Sequence, residues 1–211
     1  MIEELIELIP LWSTLSGIIL AIIFWFHSLN YIRKEMPRSP KNRCRIAAIF
    51  ASIGIIVAIL AHEAGHAFVA SSCGIKVTSI GLFPLGGFTQ FEISPTEMNP
   101  LSEIAISVAG PLVNLLIGIA ALIPVKIFGE SIAENTIQYI SYMSIKLGVW
   151  NIIPIFIFLD GGRMVEGIAR CLFGESIVTT VFTIVIIVLS MALWIEYKKH
   201  FDNLLEKLRK L

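Results

Sequence analysis

Residues 60–70 read LAHEAGHAFVA, at the end of an apolar run that starts near Ile46 with IAAIFASIGIIVAIL and closes at about Ala70. A helix needs roughly 20 mostly apolar residues to cross about 30 Å of hydrocarbon, and this run is long enough. It nevertheless holds His62, Glu63 and His66. A charged side chain at the centre of a membrane helix costs about 2.5–3.5 kcal/mol on insertion scales, so such residues are functional suspects. Residues four apart share one helical face, with about 5–6 Å between their Cβ atoms. Two imidazoles placed this way can bind one metal ion, and Glu63, directly after the first, can reach a water on that ion. This is the HExxH pattern, in which one helix supplies two ligands and a general base. A chain of this composition would contain it by chance roughly 0.005 times.

Outward from this helix, the chain reads as an all-α polytopic membrane protein with about five to six transmembrane helices. Hydrophobic residues make up 56% of the 211 and charged ones only 15%, against about 45–50% and about 25% in soluble domains. The expected spans are 11–32, with Trp12 at an interface, then 46–70, 104–128, 137–159 and 177–195. Residues 71–103 differ in kind, being Gly- and Pro-punctuated, with β-favouring runs KVTSIGLF and FTQFEI. A small hairpin over about 77–92 is expected there. A short helix over 164–173 precedes the last span, and the tail 197–211 reads as an amphipathic surface helix with Leu204, Leu205 and Leu208 on one face. The whole chain, 1–211, reads as one transmembrane domain with its core over 46–170.

A catalytic zinc takes three protein ligands and leaves one position open. The chain has two aspartates: Asp202 in the charged tail, and Asp160 at the end of the fourth expected span, in NIIPIFIFLDGGR. Pro154 removes a helical hydrogen bond there, and Gly161-Gly162 are expected to let the chain turn sharply. Asp160 is therefore the expected third ligand beside His62 and His66. His27 and His200 have no such company. Cys44, Cys73 and Cys171 are too scattered for a disulfide framework or a metal knuckle.

HEAGH on one span, AGPLVN on the next, and Asn151-x-x-Pro154 leading to LDGG resemble the site-2 proteases, a family of intramembrane zinc metalloproteases. The resemblance covers about residues 46–170. It implies one zinc per chain held by His62, His66 and Asp160, with Glu63 as catalytic base. It also implies that Asn114, in GPLVN, lies near the site, either bonding substrate or oxyanion or packing helices, and that Gly86 and Gly87, in FPLGGF, lie beside the substrate. Asn151 to Asp160 spans nine positions, where relatives usually have eight, and Phe156-Ile157-Phe158 lacks the proline often found there. The chain resembles a minimal form without a PDZ-like insert.

The implied activity is hydrolysis of a peptide bond within or near the transmembrane segment of a membrane-protein substrate. The implied setting is multi-pass in the cell membrane, with the lipid bilayer and a transmembrane substrate as partners. The formal net charge is zero, so no basic footprint for nucleic acid exists, and no nucleotide-binding module is evident. A metal transporter using the same four residues is the competing class, but transporters tend to show inverted repeats and none is visible. A catalytically inactive membrane scaffold is a third class; the four residues of the metal pattern are nevertheless all present.

Overall fold

The computed structural model describes residues 11–123, 131–154 and 159–209. Six helices and one hairpin make up the described chain: α1 (Leu11–Glu35), α2 (Lys41–Ser72), β1 (Val77–Phe83), β2 (Gly86–Phe91), α3 (Pro100–Leu122), α4 (Ile132–Ile152), α5 (Asp160–Phe173) and α6 (Ile177–Arg209). Four of the helices are long and apolar enough to cross a membrane: Ser13–Glu35, Lys41–Ser72, Pro100–Leu122 and Ile177–Lys207. Their outer faces carry exposed Ile18, Ile22, Phe50, Val57, Val181 and Val188. So much contiguous apolar surface matches hydrocarbon rather than water, and the chain is a multi-pass membrane protein.

Small residues let the helices approach one another. The α2 face toward its neighbours is built from buried Ala47, Ala48, Ala51, Ser52 and Ala58. Leu29 and Ile32 of α1 pack with Cys44, Ala47 and Ala48, and Ser28 donates to the Ala48 carbonyl at 3.1 Å. Such small-residue contacts and interhelical hydrogen bonds hold helices together where lipid removes the hydrophobic drive between them. On the α3–α4 side, Ser141 and Ser144 donate to the carbonyls of Gly118 and Asn114 at 2.6 and 2.8 Å. Tyr139, fully buried in α4, meets the ring of His27 on α1 in a hydrogen bond.

The expected hairpin is present. β1 and β2 pair antiparallel, from Phe83 opposite Gly86 to Val77 opposite Phe91, with an irregularity between Val77 and Ser79. The Leu82 amide donates to Ser13 Oγ of α1 at 2.5 Å, so the sheet is tied into the bundle.

Three expectations are corrected. The fourth expected span begins earlier, at Ile132, and ends at Ile152. Ile153 is extended, with φ −72° and ψ 122°, because Pro154 disfavours helical backbone in the residue before it. Asp160 consequently opens α5 rather than closing a span. Gly161 and Gly162 lie inside the first turn of α5 and make no turn. A Cβ on Gly161 would run into the Ile152 carbonyl, so that glycine is there for clearance. Finally, the tail continues α6 without a break to Arg209. The expected break at Phe156–Phe158 and the end of the third span beyond Ile123 lie outside the described residues.

One buried ion pair locks α5 against α3. Arg170 donates to Glu103 Oε2 at 2.7 Å, to the carbonyls of Pro95, Thr96 and Met98 at 3.0, 2.6 and 2.9 Å, and to Glu175 Oε1 at 2.5 Å. Both Arg170 and Glu103 are buried. Removing one partner leaves an uncompensated buried charge, at a cost of about 3–5 kcal/mol. Arg170→Met is therefore expected to lower the thermal midpoint in detergent sharply, and Glu103→Met with Arg170→Met should recover much of the loss. A midpoint unchanged in the single variant would show that the pair does not stabilise the fold.

Candidate metal centre

His62, Glu63 and His66 sit on the C-terminal part of α2, and the close approach of α3 surrounds them. Gly65 lets α2 lie on the α3 backbone: a Cβ there would stand 3.2 Å from the Ala109 carbonyl oxygen and 2.9 Å from Val113 Cγ2. Gly110 on α3 does the same for the imidazoles, since a Cβ would overlap His66 Nε2 and crowd His62 Cδ2 at 2.7 Å. The motif therefore depends on glycines that face it from both helices.

Asp160 reaches the histidines from the start of α5. Its Oδ2 lies 3.0 Å from His62 Nε2, its Oδ1 lies 3.3 Å from His66 Nε2, and the two Nε2 atoms are 3.1 Å apart. One ligand atom from each of the three residues thus falls within 4.8 Å of the others. Nitrogen and oxygen ligands about 2.0–2.2 Å from a tetrahedral zinc stand about 3.3–3.6 Å from one another, close to this triangle. His62 and His66 are 4% and 6% exposed.

The hydrogen bonds behind the imidazoles decide which atoms face inward. His66 Nδ1 donates to the Ile106 carbonyl at 2.6 Å, which leaves Nε2 with its lone pair toward the triangle. His62 Nδ1 lies 3.1 Å from the Asn114 amide nitrogen, while Asn114 Oδ1 is buried without a partner. The two ends of an amide are nearly isosteric. Turned by 180°, the amide accepts from His62 Nδ1–H and its orphaned oxygen is satisfied. Both Nε2 atoms and the carboxylate then converge as acceptors with no proton between them, an arrangement that suits a cation. Backing a ligand imidazole with an acceptor on its other nitrogen is the usual way such ligands are oriented.

Glu63 is held separately, in the same cavity. The Thr89 hydroxyl of β2 donates to its Oε2 at 2.8 Å. Gly87 lies against its other side: a Cβ there would be 2.5 Å from both Glu63 Cγ and Oε1. The cavity, about 440 Å³, is lined by the histidines, Glu63, Asp160, Gly86, Gly87, Thr89, Asn114, Asn151, Arg163 and several apolar side chains. Every residue of the expected site thus borders one space. Thr89, Gly110 and Arg163 were not singled out. Only Gly110 carried a sequence signal, as a glycine one turn before Asn114.

Residues 50–135 match the family model for peptidase family M50. The chain is 36% identical over 121 residues to a zinc metalloprotease of Methanocaldococcus jannaschii, an alignment covering 57% of this chain and 34% of that one. It is 32% identical over 176 residues to a Synechocystis sp. protein with a provisional zinc metalloprotease name, covering 79% of this chain and 42% of the relative. Its fold resembles the solved site-2 protease from M. jannaschii, with TM-score 0.52 and 26% identity over 89% of this chain and 83% of the other.

The chain resembles peptidase family M50 over residues 50–135 and the site-2 proteases in its fold. Its aligned region spans about a third to two-fifths of those two sequence relatives. The matched residues take in most of α2, the hairpin, α3 and the start of α4, while Asp160 lies beyond them and joins the site only through the packing of α5.

Two substitutions test the geometry through metal content. Gly110→Ala is expected to displace His66 and lower zinc per chain by elemental analysis. Asn114→Ala should weaken zinc affinity by about 10–100-fold, the usual cost of losing the group that orients a ligand. Unchanged affinity in the Asn114 variant would mean that its amide does not support His62.

Proposed function

We propose that this chain is a zinc endopeptidase that cuts a peptide bond within or beside the membrane-spanning segment of another protein, in the cell membrane. The observation that carries this reading is the meeting of three metal-ligand atoms with a separately anchored carboxylate in one cavity of an apolar bundle. His62, His66 and Asp160 would hold one zinc. Zinc, when bound, lowers the pKa of a water toward about 7 and polarises a carbonyl. The names of the sequence relatives support the same chemistry.

The chain's own residues supply the rest. Glu63 takes the proton from the attacking water and delivers it to the leaving amine. Thr89 and Gly87 fix the carboxylate from two sides, one by donating a hydrogen bond and the other by leaving room. Asn114 keeps His62 turned correctly. The apolar lining, with Phe24, Phe83, Phe88 and Phe91, accepts a hydrophobic segment and limits water to the reacting position. β2 lies over Glu63, so a strand edge stands where an unwound substrate could add backbone hydrogen bonds. A helical substrate hides its carbonyls in its own hydrogen bonds and must open before attack.

Glu63→Gln keeps the shape but cannot take a proton at neutral pH. Peptide hydrolysis should fall by at least about 10²-fold, a typical general-base contribution, with zinc content near that of the parent. Asp160→Ala should instead lower zinc itself. Near-normal turnover by the Glu63 variant would overturn the assignment of the base.

Substrate helices should be cut according to how easily they open. Gly or Pro costs a helix about 1 or 3 kcal/mol relative to Ala, so placing either near the scissile bond should speed cleavage, and a Leu or Ala run should slow it. Rates that ignore helix breakers while tracking one side chain would replace strand pairing with a side-chain pocket.

A further inference from the structure

α5 carries two arginines seven residues apart, which at 3.6 residues per turn places them on one stripe of the helix. Arg170 is saturated by Glu103, Glu175 and three carbonyls. Arg163, one turn beyond Asp160, is half-buried and lines the cavity that holds the histidines and Glu63. Its backbone amide donates to the Leu159 carbonyl at 3.1 Å, but among the described residues its guanidinium has no hydrogen-bonded or ion-paired partner. The two carboxylates that line the cavity with it are engaged elsewhere. Asp160 faces the two imidazoles, Glu63 is held by Thr89, and Glu103, though within electrostatic reach of Arg163, bonds Arg170.

An unpaired guanidinium in a largely apolar cavity is costly, and its planar fork fits a carboxylate through two parallel hydrogen bonds. We propose that Arg163 determines specificity by binding a carboxylate of the peptide in the cavity. This rests on the peptidase reading above. The carboxylate could come from an acidic side chain flanking the cut or from the C-terminus that hydrolysis creates. Both present the same chemistry to Arg163.

Binding to the full-length, zinc-loaded protein in micelles separates the sources without turnover. The probes are three fluorescent hexapeptides of Leu, Phe and Gly: one with a free C-terminal carboxylate, one with a C-terminal amide, and one amidated with a central Glu. At least one acidic probe is expected to bind about tenfold or more tighter than the neutral amide, the scale of a hydrogen bond to a charged group. Arg163→Gln should remove that advantage while leaving zinc content and affinity for the neutral probe unchanged. Arg163→Lys should keep part of it. Loss of advantage for the central-Glu probe assigns the side chain, and loss for the free-carboxylate probe assigns the product terminus.

Equal binding of all three probes by the parent, or an undiminished advantage in Arg163→Gln, would overturn the proposal. If Arg163→Gln cannot be purified, Arg163→Lys decides, because an unchanged advantage without the guanidinium fork overturns it equally. A parent that binds acidic probes through Arg163 but cleaves no peptide would keep this inference and lose the peptidase reading. A parent that cleaves without any Arg163-dependent preference would do the reverse.

Discussion

Three electron-pair donors pointing at one another across 3.0–3.3 Å are the constraint around which the rest of this molecule is arranged. Left without a cation, two imidazole nitrogens and a carboxylate would repel, and in an apolar bundle the penalty is greater than in water. The surrounding structure holds them together all the same. Ile106 and Asn114 fix the far nitrogens of the imidazoles, Gly110 removes the side chain that would push the rings apart, and Gly161 lets α5 settle against the end of α4.

Precision at this point is obtained by anchoring helices far from it. The Arg170–Glu103 pair ties the C-terminal half of α5 to the start of α3, and both helices continue from there to the site, one toward Asp160 and the other toward Gly110 and Asn114. Fixing a helix at one end sets its rotation at the other. The hairpin is tied to α1 through Ser13 and to α2 through Thr89, which places β2 over Glu63. A small sheet with free edges at membrane depth is tolerable only against protein or a water-filled cavity, and this one borders the cavity.

The outer surface follows a simpler rule. α6 has only 11% of its most apolar window buried, and it packs chiefly along α5. α4 is the reverse: its Glu134, Gln138, Lys146 and Asn151 make it too polar to stand alone in lipid, and it lies among α1, α2 and α3. Polarity along the sequence therefore separates helices that meet lipid from one that meets protein.

Much of this was legible in the chain because it depends on local spacing. His62 and His66 share a face at any i, i+4 spacing on a helix, alternating β-formers bracketed by Pro84 and the glycines imply a hairpin, and apolar runs of sufficient length imply spans. Asp160 could be named because the chain offers few aspartates. Other features were misread or invisible because they depend on what lies opposite. Gly161-Gly162 resembled a turn, yet the value of Gly161 is clearance for the Ile152 carbonyl. Thr89 looked like any strand threonine, and Arg163 like any loop cation. Sequence alone determined that His62, Glu63 and His66 would share one apolar helix and that a hairpin would follow it, since helical and strand periodicity are properties of the backbone. Only the tertiary structure decided that α5 would bring Asp160 to the histidines, that Asn114 would orient His62 and that β2 would hold Glu63, because those contacts join residues 26 to 98 positions apart and are set by how helices pack.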